Sequence, residues 1–201
     1  MDTYDKNIKK ILKKLRPDIE LWLKENVSEN RRNHILRVAK TAKKYARKLG
    51  LDVYKAELSG LLHDLAKELT NEKLLEISKT NNLEFDEIDL DNPHILHARV
   101  GEILAKEKFG INDPDVLGGI RCHTLAEPNM SKIMMVVYLA DATEPGRDKK
   151  FAGSAKKVFK EKGLEAGVLE AINMKLKDVI NRGKKIHLLT IKARNWLLSN
   201  L

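Results

Sequence analysis

The stretch Ala56 to Lys67, AELSGLLHDLAK, sets a histidine and an aspartate side by side inside an apolar run. The spacing of its apolar residues predicts a helix over about residues 52 to 67, with His63 and Asp64 in its buried middle. An ionised carboxylate buried without a partner costs several kcal/mol. Asp64 therefore asks for a counter-charge from elsewhere in the chain.

Outward from this stretch, helical periodicity dominates. Helices are expected over about 4 to 15, about 18 to 26 after Pro17, and about 29 to 48, stopping at Gly50. NEKLLEISKTNN gives another helix, and DNPHILHARVGEILAKEKFG reads as one more, with Asn92 as N-cap, Pro93 at the first helical position and Gly110 at the end. Further helices follow over about 113 to 124 and 130 to 143, with two or three in the remainder. No segment alternates as a strand does, so the class is all-α: a single helical bundle over 28–201 with added terminal helices, and residues 1–27 as an N-terminal helical extension.

A chain of 201 residues with 42% hydrophobic and 33% charged residues is a globular protein able to bury a core. Its single cysteine, Cys122, excludes an internal disulfide framework. The N-terminus MDTYDKNIKK lacks the apolar core of a signal peptide, and the longest apolar run, IMMVVYLA, is far short of a membrane span. The expected location is the cytoplasm, with no membrane partner. The net charge of +9 points to an anionic partner, although most lysines are spread along the helices and only KNIKKILKKLR is dense.

The buried-looking helical faces carry a set of polar residues. His34 shares a stripe with Val38, Ala42 and Tyr45; His97 lies among Leu96 and Val100; His123 ends the segment DPDVLGGIRCHT; Asp141 closes IMMVVYLAD. Each alone reads as an ordinary hydrogen-bonded core residue or a helix cap. Together with His63 and Asp64 they are four histidines and two aspartates, each on a separate helix or helix end apart from the doublet. Imidazole and carboxylate suit iron and other first-row divalent metals, and a bound cation offsets the cost of burying Asp64 and Asp141. A zinc finger is excluded for want of a second cysteine, and HExxH is absent.

In order along the chain, RRNHILRVAKTAKKYA, AELSGLLHDLAKEL, HILHARVGEILAKEKFGI, IRCHT and YLADATEPGRD resemble the HD-domain metal-dependent phosphohydrolases. Within them they resemble the YqeK-type branch, the symmetrical diadenosine tetraphosphate hydrolases, as does the C-terminal IHLLTIKARNWLL. The resemblance covers roughly residues 28 to 201. It implies an all-helical HD-type domain, a centre of iron or another first-row divalent metal (Mn, Co or Ni), and hydrolysis of dinucleoside tetraphosphates to two nucleoside diphosphates. It places the metal on His34, His63, Asp64 and Asp141, with Asp64 also orienting the attacking water. His97 and His123 line the phosphates, hold a second ion or act as general acid; Arg147 and Lys67 meet phosphates. It also implies a homodimer.

The loop CHTLAEPNM departs from the family, with Ala126 and Asn129 in place of glycines and Glu127 in place of an arginine. Glu127 is expected to face the phosphates and weaken their binding. Rival readings are a nucleotide phosphatase, a cyclic-nucleotide phosphodiesterase, and an RNA- or ribosome-binding module with a vestigial site. Aromatic content of 5% offers no stacking platform, so nucleic acid is not the expected partner.

Overall fold

A computed structural model describes the backbone of residues 3–201 and the side chains from Ile8 onward. The described residues form eleven α-helices: α1 Thr3–Asn26, α2 Glu29–Lys48, α3 Val53–Leu62, α4 Asn71–Thr80, α5 Glu87–Asp91, α6 His97–Phe109, α7 Pro114–Cys122, α8 Lys132–Thr143, α9 Lys149–Lys162, α10 Leu164–Asn181 and α11 Leu188–Ser199. A 3₁₀ turn, Pro93–Leu96, precedes α6. The all-α expectation holds, and no described helix is long and apolar enough to cross a membrane.

Three local expectations are corrected. The two N-terminal helices are one, with Pro17 inside α1. Ile8, Leu12, Ile19 and Leu23 keep one buried stripe in register across the proline. Burial of such side chains gives about 1.5–3 kcal/mol each, which outweighs the roughly 3 kcal/mol of an interior proline. Pro17 also lies on the exposed face, so the Lys13 carbonyl that its ring cannot donate to is on the solvent side. The helix expected through Lys67 ends at Leu62, and tight turns follow, with the Lys67 N–H bonded to the Asp64 carbonyl at 3.1 Å. His63 and Asp64 therefore sit at a helix end rather than mid-helix. Finally, Asn92 makes no side-chain cap; it separates the short α5 from the 3₁₀ turn.

Two apolar clusters meet along α2. One gathers α8, α9, α10 and α11 around Val38, Ala42 and Tyr45; the other gathers α1, α3, α4, α6 and α7 around Ile35 and Ala39. Residues 56–62 of α3 are buried on every side. Gly60 makes this possible: a Cβ there would stand 2.7 Å from the Ala39 Cα. The absent side chain lets α2 and α3 cross closely, and the crossing sets His34 against His63.

Candidate metal centre

Three of the histidines are oriented by the same local device. The last carbonyls of a helix have no partner within the helix. His63 Nδ1 donates to the Gly60 carbonyl (2.8 Å), His97 Nδ1 to the His94 carbonyl (2.6 Å) and His123 Nδ1 to the Ile120 carbonyl (2.7 Å), each three residues upstream. His34 Nδ1 instead faces Glu144 Oε1 at 3.1 Å. Each ring therefore spends its proton on Nδ1 and turns a bare Nε2 inward.

The four Nε2 atoms and two carboxylates converge. Asp64 Oδ2 is 3.3 Å from His63 Nε2 and 3.6 Å from His34 Nε2. Asp141 Oδ1 completes that group at 3.1 Å from His34 Nε2 and 3.9 Å from His63 Nε2. The other oxygen, Asp64 Oδ1, is 3.5 Å from His97 Nε2 and 3.3 Å from His123 Nε2, and those nitrogens are 3.1 Å apart. Six residues thus form two groups, or seats, that could each hold an ion and that share Asp64, with His63 also within reach of His123's group.

The residues fit divalent metal. Bare nitrogen lone pairs 3.3 Å apart, as between His34 and His63, repel unless a cation lies between them. Donors held about 2.1 Å from one ion stand roughly 3.0–3.4 Å apart, close to the spacings observed. Burial pushes Asp64 and Asp141 up, but the His63 and His123 rings around Asp64, and His34 and Arg147 beside Asp141, hold both well below the usual carboxylate range. Burial lowers His97, aided by His123 and Lys67, and it lowers His123, which keeps both rings in the neutral form a metal requires. His63 is the exception. Burial pushes it down, but Asp64 and Asp141 outweigh that and raise it.

The expected anion-binding residues lie around these seats. Lys67 Nζ is 3.4 Å from His97 Nε2. Arg147 donates from Nε to the Asp141 carbonyl at 2.8 Å and pairs with the Asp141 carboxylate. Beside them opens a cavity of about 940 Å³, in whose wall Arg147, Lys150, Lys175 and Lys177 are matched by Asp141, Asp148, Glu170 and Asp178.

Four contributors escaped the sequence reading. Arg31 Nη1 donates to Asp64 Oδ2 at 2.9 Å, and the Thr124 hydroxyl lies 3.0 Å from both His97 Nε2 and His123 Nε2. Buried Glu144 orients His34 and is itself held by Arg37 Nε at 2.5 Å. Arg31, three residues before His34, and Glu144, three after Asp141, are one helical turn from a ligand, a legible signal. Lys175 carries none: it reaches the cavity from α10, bonds the Thr124 carbonyl, and burial lowers it to about 8.

Glu127 does not face the cavity. It grips Arg121, with Oε1 2.6 Å from Nη2, and is absent from the cavity wall. Ala126 and Asn129 hold φ of 60° and 61°, so the loop keeps a glycine-like path without glycine. A further convergence, Asp86, Asp89 and His187, lies elsewhere. There His187 Nδ1 accepts the Leu189 N–H at 3.1 Å, which leaves the ring proton on Nε2 and no lone pair for an ion.

An all-helical scaffold that gathers four imidazoles around a shared aspartate defines a metal-dependent hydrolase. The HD domain profile matches residues 31–146. The chain is 30% identical over 177 residues to the symmetrical bis(5'-nucleosyl)-tetraphosphatase of Bacillus subtilis, covering 88% of this chain and 94% of that one. It is 39% identical over 124 residues to the protein of the same name from Staphylococcus aureus, covering 62% and 63%. A crystal structure from Clostridium acetobutylicum, described as a predicted HD superfamily hydrolase involved in NAD metabolism, superposes with a TM-score of 0.88 at 38% identity, covering 92% of this chain and 98% of that one. The chain belongs to the HD-domain family, in the branch of the symmetrical bis(5'-nucleosyl)-tetraphosphatases.

Proposed function

We propose that the protein hydrolyses diadenosine tetraphosphate at its central phosphoanhydride bridge, giving two ADP, on iron or a similar first-row ion. The observation that carries this reading is Asp64, shared between two buried groups of histidines, with His123 and Asp141 from those groups also lining a cavity of about 940 Å³. The relatives named symmetrical tetraphosphatases support the substrate. The catalytic unit is residues 28–201.

His34, His63, Asp64 and Asp141 would hold one ion; His97 and His123, with Asp64, would hold a second. When bound, such ions polarise a phosphoryl oxygen and acidify the attacking water. Asp64 orients that water. The lowered His97 and His123 suit ligands better than general acids, so stabilisation of the leaving diphosphate falls to cations. Lys67 and Arg147 stand at the seats, and Lys175 faces the same space from α10. Together they offset charge spread over the phosphate oxygens. The site thus grips one nucleoside diphosphate and breaks the bridge just beyond it.

Chromatography of an early time point tests the reading. ADP is the sole expected nucleotide product, and ADP inhibits more strongly than AMP. Equal AMP and ATP would refute symmetric cleavage; faster phosphate release from mononucleotides would favour a phosphatase.

A further inference from the structure

The positive charge of this chain is not evenly spread once folded. α2 carries eight Lys or Arg against Glu29 alone, and α9 carries six Lys against Glu161 alone, for +7 and +5. The chain total is +9, so the remaining residues together are net −3. The two helices meet where the Tyr45 ring packs on Phe159, with centroids 4.8 Å apart. Beside that contact runs a groove of about 820 Å³ lined by Arg37, Lys40, Lys43, Lys44, Arg47 and Lys156, with no carboxylate in its wall.

We propose that this groove binds a single nucleic-acid strand by its phosphates, at a site separate from the metal centre. Two of its cations are committed, Arg37 to Glu144 and Lys43 to Glu57 at 2.6 Å. Among the described residues, Lys40, Lys44, Arg47 and Lys156 have no acidic partner. Arg37, Lys40, Lys44 and Arg47 recur at helical spacing along one face of α2, a stripe about 15 Å long. A stripe fits an extended anion better than a compact one. The groove offers no ring for stacking, because Tyr45 is buried against Phe159 and its hydroxyl bonds Thr143 Oγ1 at 2.9 Å. Bases are then not read, and the phosphate backbone supplies the affinity.

The test is fluorescence anisotropy of labelled 12-mers, oligo(U) and oligo(A), with the metal-loaded enzyme at several salt concentrations. Four free cations give a log–log salt slope of about −2.8, or roughly 50-fold weaker binding from 50 to 200 mM salt. Both oligomers bind alike, remain uncut and are not displaced by saturating ADP. Lys44→Glu/Arg47→Glu and, independently, Lys40→Glu/Lys156→Glu each weaken binding at least tenfold while hydrolysis of diadenosine tetraphosphate is unchanged. Lys13→Glu/Lys14→Glu on α1 changes net charge equally and leaves binding intact. Absent binding at 50 mM salt, equal loss in the α1 variant, displacement by ADP, cleavage of the strand, or binding of inorganic polyphosphate but not of either oligomer would overturn the proposal.

Discussion

Glu144→Gln probes how the fold prepares the metal seats. The Glu144 side chain is 1% exposed, takes the His34 Nδ1 proton on Oε1, and accepts Arg37 Nε and the Gly146 N–H on Oε2, both at 2.5 Å. Burial alone would raise its pKa; Arg37, the Gly146 N–H and His34 together hold it down to about 2. A carboxyl held there instead of near 4.5 corresponds to roughly 3 kcal/mol of stability. The amide keeps the volume but loses the charge, and its NH₂ must face either donors or the His34 ring. Arg37, 39% exposed, recovers part of its hydration, which reduces the expected loss to about 2 kcal/mol at pH 7. For a chain of this size that is roughly 4–8 °C in Tm. Because the folded pKa is depressed, the contribution is full above about pH 4.5 and disappears as pH falls through about 2. Urea titrations of metal-stripped protein should therefore show a gap between wild type and variant at pH 7 that narrows steadily in acid.

The same substitution should weaken the grip on the metal, since His34 loses the carboxylate that fixes its tautomer and ring orientation. Removing such a partner typically costs 10–100-fold in metal affinity. Competition with a chelator reads this directly. A variant with wild-type metal affinity and no pH-dependent stability gap would refute the reasoning.

Asp64→Ala should lose metal from both seats and nearly all turnover while staying folded; full metal content by elemental analysis would remove Asp64 from the centre. The metal-free variant should be less stable than metal-free wild type, because Arg31 loses the carboxylate it pairs with at 2.9 Å. Lys175→Met should raise KM for diadenosine tetraphosphate about tenfold and raise Tm, trading a half-buried cation for an apolar chain of similar length; an unchanged KM would place Lys175 outside the phosphate path. Gly60→Ala should cost about 2–3 kcal/mol in urea unfolding and lower metal affinity, because the added Cβ meets Ala39 backbone and parts His34 from His63.

The sequence made the convergence of these six residues legible for a physical reason. An aspartate or histidine on an apolar helical face is costly, and six such residues on separate helices require a common explanation. Their grouping into two seats was not legible, because it depends on where turns fall: His63 converges with His34 only because α3 stops at Leu62 and crosses α2 at Gly60. The continuity of α1 was hidden by Pro17, whose local cost is a weaker force than the buried stripe running past it. Glu127 misled because its residue type was visible and its partner, Arg121, was not.

The family profile ends at residue 146, and the cavity does not. Lys150, Phe151 and Ser154 come from α9, and Met174 and Lys175 from α10. The histidines and aspartates of the seats lie on or at the ends of α2, α3, α6, α7 and α8, whereas much of the cavity wall comes from α9 and α10. Such a division lets one metal centre serve different phosphate esters, with selectivity set by helices outside the core. Lys175 is the clearest case. In the sequence it is one of 38 basic residues, indistinguishable from a solvated lysine. Only the docking of α10 against α8 brings it, half-buried, to the cavity wall that Asp141 also lines.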